Sequence, residues 1–134
     1  MSLLLDSDIL IGVLRGHPRI RQELARPPAN AWHATSAITV AELYYGAARS
    51  NRPVQGALAV LALMHQIEVI PVDERVSARF ANLKARLRAS GQMIPDFDLL
   101  IAATALVHDR ALVTHNTRHF SRIAGLTLLD WLAP

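Results

Sequence analysis

Short apolar segments alternate along this chain with longer segments of helical spacing, and this alternation constrains the fold more than any other feature. Strands separated by helices usually pair in parallel, because the crossover helix returns the chain to the same end of the sheet. The predicted strands are residues 2–6, 32–37, 68–72, 111–114 and 126–129. The predicted helices are residues 7–15, 19–25, 39–49, 54–65, 73–89 and 96–108. We therefore expect an α/β fold with a central, mostly parallel sheet that helices cover on both faces.

The composition favours one folded domain. Hydrophobic residues make up 51% and charged residues 19% of the 134 residues, which favours a packed core over a disordered chain. We therefore expect residues 1–134 to form a single domain. The absence of cysteine excludes disulfides and thiolate metal sites. Charged residues or histidines interrupt the apolar runs, and the first residues lack a basic leader, so the sequence predicts a cytoplasmic protein without a membrane span.

The positive charge is carried almost entirely by arginine. The chain contains 13 arginines and one lysine, Lys84, and its formal net charge is +3. Arginine forms bidentate pairs with phosphate and stacks on bases, so this composition indicates a nucleic-acid partner. An arginine-rich composition can equally follow from the base composition of a genome, and both interpretations stay open at this point.

Four polar side chains fall where a parallel sheet would bring separate segments of the chain together. Asp6 and Asn116 follow apolar strands, while Glu42 and Asp98 lie in apolar helices. Ligands of open α/β sheets bind beyond the carboxyl ends of the strands. Mg²⁺ prefers oxygen ligands, and a bound divalent ion can activate water to cleave a phosphodiester. This set of side chains therefore indicates metal-dependent hydrolysis of a nucleic acid.

Each acidic residue also has a purely structural interpretation. Asp6 and Asp96 are good N-caps for the helices that follow them. Glu42 matches a capping box with Thr39, and Asp98 suits the first turn of a helix. If capping is their only role, the chain is a non-catalytic binding module.

A second alternative is a phosphatase of the haloacid-dehalogenase type. Such enzymes begin with an apolar strand and a D-x-D motif whose first aspartate is a nucleophile, and residues 6–8 read Asp-Ser-Asp. They also need a later lysine followed by an acidic pair. Lys84 is the only lysine here, and it comes too early in the chain for that role.

Four motifs in order carry a resemblance to a known family. They are LLDSDILIGVLRG, SAITVAELYYGA, IPDFDLLIAATALVHDRALVTHNTRHFSRIAGL and LTLLDW. They span nearly the whole chain, which resembles PIN-domain proteins of the VapC type, the toxins of bacterial toxin–antitoxin pairs. The resemblance implies a three-layer α/β/α fold and an endoribonuclease that depends on Mg²⁺ or Mn²⁺. It also implies a homodimer, a structured RNA substrate such as tRNA, and a VapB-like antitoxin that crosses the active-site groove in a heterotetramer or larger assembly.

The resemblance and the mechanism it implies give roles to nine side chains. The catalytic residues and metal ligands are three acids, Asp6, Glu42 and Asp98. The supporting residues are Ser7, Asp96 and Asn116. The residues that could contact the RNA phosphate are His115, Arg118 and His119. In this mechanism the acids hold one Mg²⁺, partly through waters, and a metal-bound water attacks phosphorus in line. Asp6→Asn or Asp98→Asn should then abolish cleavage and leave the fold intact.

Residues 114–120 depart from the family pattern T-R-N-x-R-D-F. Here the stretch reads THNTRHF, so His119 stands where many relatives have an acid, and Asn116 is a neutral ligand. This departure predicts that a second metal ion binds weakly or not at all. Asp8 or Asp96 could compensate for the missing acid.

Overall fold

The computed structural model describes residues 2–26 and 33–134. The strands in these residues are β1 Leu3–Leu5, β2 His33–Ser36, β3 Glu68–Ile70, β4 Ala111–Val113 and β5 Leu128–Leu129. The helices are α1 Ser7–Leu14, α2 Pro18–Ala25, α3 Ala37–Ala48, α4 Pro53–Met64, α5 Glu74–Ala89, α6 Asp96–Val107 and α7 Thr117–Phe120. The strand predicted for residues 32–37 is thus observed from His33, and residue 32 lies outside the described part of the chain. None of these helices is long and apolar enough to cross a membrane.

The strands of the described residues form one parallel sheet in the order β3-β2-β1-β4-β5. β1 is central, and its Leu4 lies opposite Ala34 of β2 and Leu112 of β4. The predicted α/β fold with a parallel sheet is therefore confirmed. Because all strands of this sheet point the same way, their carboxyl ends meet at one edge.

Successive side chains of the central strands enter two separate cores. Leu4 and Leu112 pack with residues of α5 and α6, whereas Leu5 and Val113 pack with residues of α1, α3 and α4. All four side chains are fully buried, which explains why these strands are apolar at consecutive positions rather than at alternate ones. Helices therefore cover both faces of the sheet, as the three-layer α/β/α expectation requires.

Helix α3 begins two residues before its predicted start at residue 39. Its N-cap is Ser36, whose Oγ accepts a hydrogen bond from the Ile38 N–H at 3.1 Å. Thr39 is fully buried inside the helix and does not cap it. The capping box between Thr39 and Glu42 is therefore wrong, which leaves Glu42 without that structural explanation.

Candidate active site

Asp6 lies at the carboxyl end of β1, in the middle of the sheet edge. It is the N-cap of α1, and only 6% of its surface is exposed. Its Oδ1 accepts a hydrogen bond from the Ser7 N–H at 2.8 Å. Its Oδ2 accepts one from the Thr114 hydroxyl, also at 2.8 Å. The capping role predicted for Asp6 is confirmed, and the second bond ties the same carboxylate to the end of β4.

The electrostatic surroundings of Asp6 disfavour its charged form. Burial raises the pKa of Asp6 to about 7, and the negative charges of Asp8 and Asp98 act in the same direction. The hydrogen bonds from Thr114 and Ser7 lower this pKa in part. A buried acid surrounded by like charges gains stabilisation when a cation binds beside it. This edge of the sheet therefore favours a cation.

Glu42 is held by a neighbouring helix. The Ser7 hydroxyl, in the first turn of α1, donates a hydrogen bond to Glu42 Oε1 on α3 at 2.5 Å. The Ser7 backbone N–H donates to Asp6 at the same time. One serine thus positions two of the three predicted acids, and the structure brings Asp6, Ser7 and Glu42 together.

Asp98 lies in the first turn of α6, where a histidine contacts its carboxylate. His119 Nδ1 is 2.8 Å from Asp98 Oδ2 and 3.1 Å from Asn116 Nδ2. When Nδ1 carries a proton it donates to Asp98, and when it carries none it accepts from the Asn116 amide. The structure places the His119 ring between two other predicted site residues, with 33% of the side chain exposed. The RNA contact of His119 stays a prediction.

The other predicted site residues lie on the surrounding surface. Asp96 is the first residue of α6 and follows the N-cap residue, a proline, so the capping role predicted for Asp96 is wrong. Its exposed carboxylate pairs with Lys84 Nζ at 3.0 Å. His115 is exposed, and its Nδ1 lies 3.1 Å from Asp130 Oδ2. Arg118 is exposed on α7.

Two further polar residues, which the sequence did not identify as site residues, lie at the same edge of the sheet. Thr114 is fully buried, and its hydroxyl donates to Asp6 while it accepts from the Asn116 N–H at 3.0 Å. Asp130 follows β5 and contacts His115. Both come directly after a strand, which is the signal that identified Asp6. Applying that signal to β5 would have found Asp130, whereas the strand predicted for residues 111–114 included Thr114 and so led to Asn116 instead.

The donor chemistry of this edge fits a hard divalent cation. The charges of Asp8 and Asp98 act on Asp6, and Asp8 Oδ1 is buried without a hydrogen-bond partner in the described residues. Within residues 2–26 and 33–134, no three His, Asp or Glu side chains already converge as a complete metal-binding group. Mg²⁺ usually keeps several waters and takes only one or two carboxylates as direct ligands, so a complete protein cage is not required.

Comparisons with known proteins extend over nearly the whole chain. The PIN domain family model matches residues 3–126. The chain is 33% identical over 133 residues to ribonuclease VapC2 of Haemophilus influenzae, covering 98% of this chain and 99% of that protein. It is 28% identical over 131 residues to the tRNA(fMet)-specific endonuclease VapC of Shigella flexneri, covering 98% of each. The structure of DNA-bound VapBC from Salmonella typhimurium is similar with a TM-score of 0.91 and 28% identity, covering 98% of each chain.

Proposed function

Because the chain belongs to the PIN-domain family as a ribonuclease of the VapC type, we propose that Asp6, Glu42 and Asp98 hold its catalytic Mg²⁺ or Mn²⁺. The observation that carries this proposal is the position of Asp6. It is a buried acid at the carboxyl end of the central strand, and burial raises its pKa to about 7. A carboxyl in that environment gains most from a neighbouring cation.

The residues around the acids prepare them for this role. A bound divalent ion supplies a coordinated water of lowered pKa and a positive charge beside the phosphate. Ser7 and Thr114 hold the two oxygens of Asp6, and the Ser7 hydroxyl also holds Glu42. Such hydrogen bonds fix the orientation of ligands before the ion arrives. Arg118 is exposed on α7, where its guanidinium can pair with a substrate phosphate.

The observations favour this function over the two alternatives. The match to the PIN domain over residues 3–126 supports a nuclease rather than a haloacid-dehalogenase-type phosphatase. Capping explains one hydrogen bond of Asp6 but not the Thr114 bond or the nearby charges of Asp8 and Asp98. A non-catalytic module would have no reason to bury one acid close to two others, because this arrangement opposes ionisation.

We propose that the partner is a VapB-like antitoxin, since the similar structure from Salmonella typhimurium is a VapBC pair. A groove of about 390 Å³ between α1, α3 and α4 is lined mainly by apolar side chains and includes Glu42. Ile11 and Leu14 in its lining are exposed by 37% and 38%. An apolar antitoxin segment bound there would bury these side chains and cover Glu42, which would inhibit cleavage directly.

The proposed assembly is a homodimer of the toxin that forms a heterotetramer or larger complex with the antitoxin. Multi-angle light scattering of the isolated protein and of the co-expressed pair measures both masses. A monomeric toxin, or a one-to-one complex with a single copy of each chain, would contradict this part of the proposal.

Cleavage of total RNA, tRNA included, by purified protein with Mg²⁺, Mn²⁺ or EDTA tests the function. Asp98→Asn should abolish cleavage. The matched control is Glu74→Gln, because Glu74 is an exposed acid in the first turn of α5, just as Asp98 is an acid in the first turn of α6. It removes one acid without touching the acids around Asp6 and should keep most of the activity. Cleavage in EDTA, or undiminished cleavage by folded Asp98→Asn, would contradict the proposed site.

A further inference from the structure

We propose that a groove between α5 and α6, outside the cluster of carboxylates, binds the phosphodiester backbone of RNA. The groove has a volume of about 580 Å³, and α6 contributes Leu106 and Val107 to its lining. The residues that α5 contributes are Arg75, Ala78, Arg79, Asn82 and Arg86. The proposal rests on the ribonuclease function and adds a second contact surface for the same substrate.

The three arginines form a stripe along α5. With Asn82 between them, they follow one another at intervals of four, three and four residues, which places their side chains on one side of the helix. The stripe is about 16 Å long from Arg75 to Arg86, since each residue advances an α-helix by about 1.5 Å. All of its members are exposed. The side chains that α5 buries in the core are different ones, Val76, Leu83 and Leu87.

The positive charge of this groove is not neutralised within the described residues. No acidic side chain lines the groove, and neither Arg79 nor Arg86 forms an ion pair in residues 2–26 and 33–134. Arg75 Nη2 donates to the Val107 carbonyl at 3.4 Å, which holds its guanidinium at the end of α6. A guanidinium binds a phosphate through two parallel hydrogen bonds. The stripe therefore offers several phosphate contacts in a row.

The groove begins at the far end of α6 from the carboxylates and runs back along α5 toward the first turn of α6, where Lys84 of α5 pairs with Asp96. Val107 ends the helix, whereas Asp98 stands nine residues earlier in its first turn, so about 13 Å of helix separates them. A folded tRNA is large enough to contact both the carboxylates and the whole length of the stripe. The groove should therefore add affinity for long, structured RNA.

An acidic protein segment is the competing occupant of the groove. Protein interfaces usually centre on buried apolar anchors, yet the apolar side chains here are limited to Ala78, Leu106 and Val107. A phosphate backbone needs only positive charge along its path, and such binding is sequence-independent. The uncompensated arginine stripe thus favours RNA over a protein segment.

Binding of a labelled tRNA, followed by fluorescence anisotropy in EDTA to prevent cleavage, tests this proposal. The double variant Arg79→Gln/Arg86→Gln is compared with Arg52→Gln/Arg88→Gln, which removes the same charge from exposed positions outside the groove. Loss of two phosphate contacts lowers the slope of log K against log salt by about 1.4 to 1.8. We expect this loss in the groove variant only.

An unchanged slope in the groove variant, or an equal loss in both double variants, would overturn the proposal. So would a loss of antitoxin binding without any change in tRNA binding, because that result assigns the groove to protein. Asp98→Asn distinguishes the groove proposal from the proposed ribonuclease function. This variant should bind tRNA like the wild type but should not cleave it. If the wild type cleaves no RNA in the presence of metal, the ribonuclease function is contradicted. The salt dependence of tRNA binding still tests whether the groove binds RNA.

Discussion

Replacing the predicted catalytic acid Asp6 with asparagine should stabilise the folded protein at alkaline pH while it abolishes cleavage. Asp6 is 6% exposed, and burial raises its pKa to about 7 from an ordinary value of 3.8. The folded state therefore resists ionisation of this carboxyl, whereas the unfolded chain ionises it readily above about pH 4. The contribution of Asp6 to stability is complete below about pH 4 and is lost as the pH rises to about 7.

The expected magnitude follows from the difference between the two pKa values. A pKa that rises from 3.8 to about 7 corresponds to about 4 kcal/mol lost by the wild type at alkaline pH. Asparagine avoids this loss but keeps one acceptor oxygen, so one of the bonds from Ser7 and Thr114 weakens at a cost of about 1 kcal/mol. The variant should be more stable by about 3 kcal/mol near pH 8, a rise in Tm of roughly 9 °C.

Thermal unfolding in EDTA at pH 5 and pH 8 measures this effect. The advantage of Asp6→Asn should shrink to about 1 kcal/mol or less at pH 5, where the carboxyl of the folded wild type is protonated. Asp96→Asn is the control, because its exposed carboxylate pairs with Lys84 and should matter little at either pH. The reasoning is refuted if Asp6→Asn is no more stable than the wild type at pH 8, or if its advantage does not grow between the two pH values.

Two further predictions concern the neighbours of the acids. Ser7→Ala removes the hydroxyl that holds Glu42 and should weaken Mn²⁺ binding by about tenfold in a calorimetric titration. An unchanged affinity would contradict the positioning role of Ser7. His119→Glu replaces the imidazole that lies 2.8 Å from Asp98 with a side chain that carries oxygen ligands, and it should strengthen Mg²⁺ binding in the same titration. Weaker binding would contradict this prediction and would mean that the imidazole favours metal binding.

The strand and helix pattern was predictable because both faces of the sheet are covered. A strand such as β1, with three leucines in a row, is favourable in a small domain only where both of its faces are buried. The start of α3 was not predictable, since Ser36 and Thr39 are both good caps at the sequence level. Packing decides between them: Thr39 is fully buried, whereas the Ser36 hydroxyl is placed to accept from the first turn.

The edge of the sheet that carries the candidate site was predictable, but its contacts were not. Asp6 follows a strand, and the carboxyl ends of parallel strands must meet, so its place at the site follows from topology alone. The contact between His119 and Asp98 joins residues 21 positions apart and depends on how α7 packs against α6. Spacing along one helix cannot reveal such a contact. For that reason the contact with Asp98 was not predicted, while the RNA contact of His119 stays a prediction.

The helix termini at this edge set the balance between folding and metal binding. Asp6 caps α1 and Asp98 lies in the first turn of α6, and the partial positive charge of a helix N-terminus stabilises an acid but opposes a cation. The ion must also compete with the hydrogen bonds that Asp6 already accepts. Glu42 lies in the second turn of α3, where the dipole has faded, so the helix opposes a cation least at this acid. A partner segment that covers Glu42 should therefore inhibit cleavage without any change in the fold.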